Sequence, residues 1–206
     1  MIKPHFFLSN LFRITTIHYF EVVKESANLW DPLNRLEIYM KSIQGLIESA
    51  VTGVHLKNPE TIVIGKGCTF GPFVSIEGPV VIGEGCEIRS GAYIRPGSLI
   101  GDGVVIGHGT EIVRSIVFNN AALAHFNYVG DSIIGEGVNF GAGSKCANFR
   151  LDGGVVNIRV NGKKIATDRR KLGSFIGDKA SIGCNAVLNP GTILLPKENV
   201  FPGSVV

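Results

Sequence analysis

The chain carries one concentrated set of reactive side chains. His125, Asn127 and Tyr128 fall within "ALAHFNYVGD", residues 122–131, and Arg95, His108, Glu111 and Lys171 are polar groups that a repetitive fold can bring near them. An imidazole, with a free pKa of about 6.5, takes a proton from a nucleophile at neutral pH. Arg95 suits forked contact with phosphate oxygens, and Lys171 supplies a second cation. The chemistry on offer is proton abstraction beside a bound anion. The same spacing also fits a surface histidine on a corner, and the residue types alone leave both readings open.

What must position these residues is a repeat. Ile64, Phe70, Ile76, Ile82, Ile88, Ile94, Ile100, Ile106, Ile112, Phe118 and Ala124 recur every six positions. Four residues behind each comes a second set, including Cys68, Val74, Val80, Cys86, Ala92 and Ser98, nearly all small or β-branched. Neither a helix nor an ordinary strand has that period. A triangular coil does: each hexad supplies one strand and one corner, and successive coils stack at roughly 4.8 Å. Glycine takes the corner dihedrals that other residues resist. The pattern predicts an all-β parallel β-helix of about six coils over residues 61–206. Cys68 and Cys86, one coil apart, should stack inside it as small apolar residues.

The beat breaks after Ala124 and resumes at Ile134, which predicts a four-residue bulge directly after His125 that re-aims its neighbours. It stops again between Cys146 and Ser174. There "VVNIRVNGKKIATDRRKLG" holds two alternating runs joined by Asn161–Gly162, a β-hairpin inserted over 147–174. Ahead of the repeat, Asp31 as N-cap, Pro32 in the first turn and a stripe of Leu33, Leu36, Met40, Ile43 and Ile47 predict a helix. Residues 5–27 read as another. Residues 1–60 are thus expected to be a helical cap and linker closing the open end of the prism.

Composition limits the function classes. The 27 glycines come with 45% hydrophobic residues, so they signal tight turns and not disorder. A net charge of +3 without a block of like charges argues against nucleic acid. A signal-peptide layout and a spanning apolar run are both missing, so a cytoplasmic protein without membrane contact is expected. The four cysteines lack zinc spacing, and no metal site is expected.

The hexads resemble the "[LIV]-G-x-x-[STAV]-x" pattern of left-handed β-helices. "RPG" at Arg95, "AHFNYVGD", "IGEGVNFGAG" and "NF" together resemble the acetyltransferase domain of the bifunctional glucosamine-1-phosphate acetyltransferase/N-acetylglucosamine-1-phosphate uridyltransferase family. "RRKLGSFIG" is similar to its archaeal sugar-1-phosphate branch. The resemblance, over roughly residues 62–206, implies an N-acetyltransferase that uses acetyl-CoA, without metal, on an amino-sugar phosphate in nucleotide-sugar synthesis. It makes His125 the general base, with the Ala142 N–H and Asn148 meeting the oxyanion. It places Arg95, Tyr128 and Lys171 on the sugar phosphate and Glu111 and Asn139 on the sugar. Phe149 and Cys184, where the family has tyrosine and serine, join Ala142 beside CoA. It also implies a homotrimer with sites between neighbouring prisms.

Three departures stand out. Val113 occupies the place of a phosphate-binding lysine, with Arg114 adjacent. The chain ends at Val206 without the family's CoA-holding tail, and the first sixty residues show no nucleotidyltransferase. These features fit a second reading, a non-catalytic trimeric scaffold or sugar-nucleotide sensor working with a separate nucleotidyltransferase. A third reading is an acyl-ACP-dependent sugar-nucleotide acyltransferase, which shares the fold and the histidine base.

Overall fold

The computed structural model describes residues 11–12, 22–23 and 26–206, and shows a three-faced parallel β-helix. One face has eight strands, from Leu46–Ile47 to Ile193–Leu194; the two others have seven each. One of these runs from Thr69–Phe70 to Asn199–Val200 and is here the open face. The other, from His55–Lys57 to Val187–Leu188, is the cleft face. The fold class is the one the hexads predict, with more coils than the six expected. Parallel pairing begins at Leu46, which pairs with Val63, inside the segment expected to be linker.

The inward residues form one column per face, and all are sealed from solvent. Ile82, Ile100, Val117, Ile134 and Ile176 stack on the eight-stranded face, and Ile88, Ile106, Leu123, Phe140 and Ile182 on the open face. Ile94, Ile112, Val129, Cys146 and Leu188 stack on the cleft face. Cys68 and Cys86 are buried at a corner, and their thiols donate to the Gly83 and Gly101 carbonyls at 3.1 and 3.0 Å. Their expected stacking holds.

The register corrects the expected bulge. Ile106 pairs with Leu123 and His108 with His125, so the chain runs in step through the histidine. The hexads slip because two coils are one residue short, at Arg114–Ser115 and Asp131–Ser132. Ile100, Val117 and Ile134 therefore stack 17 residues apart, where Ile82 and Ile100 stack 18 apart. Phe118 and Ala124, expected inside, yield those places to Val117 and Leu123. Phe118 points outward and stacks on Phe12 with ring centroids 5.4 Å apart.

The helix, α1, spans Asp31–Met40 and ends earlier than its stripe suggests. Trp30 is the N-cap, and the Asp31 carboxylate accepts from the Asn28 N–H at 2.7 Å. Beyond Met40, the Ser42 hydroxyl donates to the Tyr39 carbonyl. Gly45 then passes so close to Pro59 that a Cβ there would come within 2.5 Å of its carbonyl oxygen, and Ile47 belongs to a strand.

Helix α1 does not close the end of the prism. Leu33, Leu36 and Met40 lie in one apolar layer with Leu99, Ile116, Ile133 and Phe175, which project from the outer side of the eight-stranded face. That face is therefore a covered face. Val156, Ile158 and Leu172 of the insertion join the layer, as do Leu11, Phe12, Val22 and Val23. The rest of the second helix expected over 5–27 lies mostly outside the described residues. Ile47, Val51, Val54 and Leu56 pack against the first coil's interior instead. The hairpin has the expected form: Asn157–Val160 pairs antiparallel with Lys163–Ala166. Asn161 and Gly162 both adopt positive φ, 50° and 75°, as a two-residue primed turn requires.

Candidate functional site

Two corners border the cleft face, and they are built differently. At the corner entering it, Ser90, His108, His125, Ala142 and Cys184 form a ladder. The amides of Gly109, Phe126, Gly143 and Asn185 donate in turn to the carbonyls of Ser90, His108, His125 and Ala142. Gly107 has no room for a side chain here, since a Cβ would lie 1.6 Å from the Ala124 oxygen. His108 Nδ1 sits 2.8 Å from the Ser90 carbonyl oxygen, and its ring meets Phe126 edge-on at 4.9 Å. His125 is exposed, as is Cys184.

Asn127 answers why an asparagine stands beside that histidine. It is almost fully buried, and its side chain stitches coils together. Its oxygen accepts from the His125 N–H at 3.2 Å, while its amide donates to the Gly141 carbonyl at 2.8 Å and the Ser144 hydroxyl at 3.1 Å. Asn127 fixes the backbone under His125 to the coil that carries Ala142.

At the corner leaving the cleft face, the two short coils place Arg114 over Asp131. Both have positive φ, 45° and 48°, which non-glycine residues adopt at a cost. A forked ion pair accompanies that cost: Arg114 Nε and Nη2 donate to the two Asp131 oxygens at 2.7 and 2.8 Å. Asn148 Nδ2 donates to the same carboxylate at 2.5 Å, and Arg169 approaches it at 4.0 Å. Asp131 is 1% exposed. Hydrogen bonding to this carboxylate raises the Arg114 guanidinium above its usual value, so it stays charged.

Between the corners, Arg95, Arg114, Tyr128, Asn148, Phe149 and Lys171 line a cleft of about 420 Å³. Arg95 donates to Glu111 at 2.7 Å, and Glu111 pairs in register with Tyr128. Burial, reinforced by the Glu111 and Asp131 carboxylates, raises the Tyr128 phenol, which keeps its proton at neutral pH and can donate to an anion. Gly130 makes room for this: a Cβ there would lie 2.7 Å from the Tyr128 hydroxyl and 2.5 Å from Asn148 Nδ2. Phe149 and Lys171 form a backbone bridge that closes the base of the insertion.

Of the residues singled out in the sequence, the structure brings together Arg95, Glu111, Tyr128, Asn148, Phe149 and Lys171. His125, Ala142 and Cys184 share the histidine corner at the far edge of the same face. Asn139 is exposed on the open face, paired with Ala122 and Ser181, beyond that corner. Sequence reasoning passed over Asp131 and Arg169. Asp131 was visible as the last residue of "HFNYVGD", but a lone aspartate after glycine reads as a turn. Among the described residues no group of three His, Cys, Asp or Glu side chains could hold a metal ion. Nor is any helix among them long and apolar enough to cross a membrane.

Fold and site together define a hexapeptide-repeat β-helix protein with a cleft on one face lined by Arg95, Arg114 and Lys171. More specifically, residues 76–204 match the family described as "GMPPB C-terminal domain", and the chain belongs to that family. It is 42% identical over 151 residues to a bifunctional sugar-1-phosphate nucleotidylyltransferase/acetyltransferase of Sulfurisphaera tokodaii, covering 65% of this chain and 38% of that protein. It is 32% identical over 154 residues to the bifunctional protein GlmU of Methanococcus aeolicus, covering 66% and 36%. The chain thus spans well under half the length of these relatives. Among solved structures, a Bacillus cereus protein titled a putative acetyltransferase shares 16% identity at a TM-score of 0.37, over 80% of this chain and 78% of that one.

Proposed function

We propose that this chain transfers the acetyl group of acetyl-CoA to the amine of an amino sugar bearing an anomeric phosphate. It would act as a homotrimer in cytoplasmic nucleotide-sugar synthesis, alongside a nucleotidyltransferase. The observation that carries this reading is the cleft, where Arg95, Arg114, Lys171 and the Tyr128 hydroxyl converge on a face whose edge presents His125. Guanidinium forks and a neutral phenol are suited to phosphate oxygens. The motif resemblance and the relatives named for acetyl transfer support the same chemistry.

In this reading His125 accepts the amine proton as the nitrogen bonds to the thioester carbonyl carbon. The C–S bond then breaks, and the sulfur leaves with a proton as free CoA. The developing oxyanion meets the Ala142 N–H, one coil from His125 on the same ladder. Phe149 and Cys184 lie where the pantetheine arm would run. Asn139, on the other side of the histidine corner, would reach a sugar only from a neighbouring prism, as a trimer with shared sites requires.

One observation favours the non-catalytic scaffold. Asn148 donates to the buried Asp131, so its amide is engaged in holding the corner and not aimed beside Ala142. Free thiol should be followed with acetyl-CoA and a panel of amino sugars, sugar phosphates and sugar nucleotides. Acceptor-dependent release that vanishes in His125→Ala supports acetyl transfer. A folded protein that releases no thiol with any acceptor overturns it and leaves the scaffold.

A further inference from the structure

A second chamber, of about 470 Å³, adjoins the cleft and shares Arg95 and Arg114 with it. Leu36 and Met40 of α1 wall one side, and Pro79, Pro96 and Val113 of the prism wall the other. Its size is that of a small-molecule site, which typically holds about 300–1,000 Å³, and its lining mixes apolar side chains with the charged groups of Glu37, Lys41, Glu77, Arg95, Arg114 and Arg169, of which Glu77 pairs with Lys57. In the acetyl-transfer reading a phosphorylated monosaccharide occupies the neighbouring cleft, and its ring C–H groups offer little apolar surface to set against the half-buried Pro79 and Pro96 of the chamber. What belongs there is flat and apolar on its faces, polar at its edge, and joined to an anion.

The partition between the chambers sets three guanidiniums, Arg95, Arg114 and Arg169, against two carboxylates, Glu111 and Asp131. Arg114 and Arg169 both address Asp131, so two guanidiniums share one carboxylate and one positive charge remains. Arg169 also lines the second chamber. A diphosphate crossing the partition would meet Arg95, Arg114 and Arg169. Exposed Glu37 and Lys41 at the rim supply the donors and acceptors that a base edge needs. We infer that the acceptor is an amino sugar linked to a nucleoside diphosphate, with the nucleoside seated between α1 and the prism. This inference rests on the acetyl-transfer reading for the cleft. Acetyl-CoA itself contains an adenosine diphosphate, so the test separates the two nucleotides.

Initial rates of thiol release should be compared for UDP-glucosamine and glucosamine-1-phosphate, with UDP and adenosine 3′,5′-bisphosphate as inhibitors. The expected result is a KM at least tenfold lower for the nucleotide sugar at similar kcat. UDP should compete with the acceptor, and adenosine 3′,5′-bisphosphate should compete only with acetyl-CoA. Equal KM values, or UDP that does not compete, overturn the inference while leaving acetyl transfer intact. Adenosine 3′,5′-bisphosphate competing with the acceptor also overturns it, because the chamber would then be the CoA site. Calorimetry with UDP gives an independent readout. Glu37→Trp, at an exposed rim position, lays an indole across the chamber mouth and should lose UDP binding but retain turnover of glucosamine-1-phosphate. UDP binding that is lost in Glu37→Trp, with no turnover of any acceptor, would sink the acetyl-transfer reading and keep the nucleoside site.

Discussion

The two corners that border the cleft face differ in what they do with polar side chains. The histidine corner keeps regular pairing and sends His125 and Cys184 into solvent; its buried polar side chains, Thr110, Asn127 and Ser144, bond mainly to backbone. The aspartate corner gives up a residue in two successive coils and buries a carboxylate under a guanidinium fork. A regular coil presents groups that can act on a ligand, whereas a shortened coil locks charged groups together. The first corner is suited to chemistry, and the second holds a cleft wall in place.

Breaking each corner should therefore produce a different loss. The largest effect is expected from His125→Ala, which should lower kcat by about 10²- to 10⁴-fold, the usual range for a general base. Its thermal midpoint should stay unchanged, because the imidazole is exposed. A large drop in melting temperature would mean that the histidine corner is structural after all. Asp131→Ala should do the reverse. Removing one partner of a buried pair costs about 3–5 kcal/mol, and with Arg114 41% exposed about 2–3 kcal/mol is expected from denaturant unfolding. A variant as stable as the parent would show that the fork contributes nothing.

Asn127→Ala tests whether the two corners are as separate as they look. It leaves the carbonyl of Gly141 and the N–H of His125 without this partner, at a cost of about 1–3 kcal/mol. Because it also loosens the backbone under His125, kcat should fall while the KM for the sugar acceptor holds. The smallest effect concerns thiols. In the folded protein Cys184 should react rapidly with a thiol reagent, and acetyl-CoA should protect it. Cys146 should stay silent, since burial pushes its thiol up to about 12. Equal labelling of both would contradict the burial of the cleft face's inner column.

The hexads and the Asn161–Gly162 hairpin were legible in the sequence because each depends on local spacing, whereas Arg95, Tyr128, Asn148, Phe149 and Lys171, far apart in the chain, were singled out through the motif resemblance. The slip was misread for a physical reason. Leu99, Ile116, Phe118 and Ile133 are apolar although they point outward, because an apolar layer covers them. With both sides of the strands buried, the alternation that fixes register disappears. Phe118 could then keep the six-residue beat while Val117 took the interior. The role of α1 was hidden likewise: a stripe of Leu33, Leu36 and Met40 says that a face is buried but not against what. Asp131 gave no signal of its own, since its function depends on Arg114 and Asn148, both 17 residues away.

The cover on the eight-stranded face also bears on how the molecule melts. In a bare solenoid each coil is coupled only to its neighbours, so ends fray and openings propagate rung by rung. Here one apolar strap spans the rungs of Leu99, Ile116, Ile133 and Phe175. The central coils are therefore tied into one cooperative block, and hydrogen exchange should find them opening together, after the coils near Leu46 and Val200 have already begun to exchange.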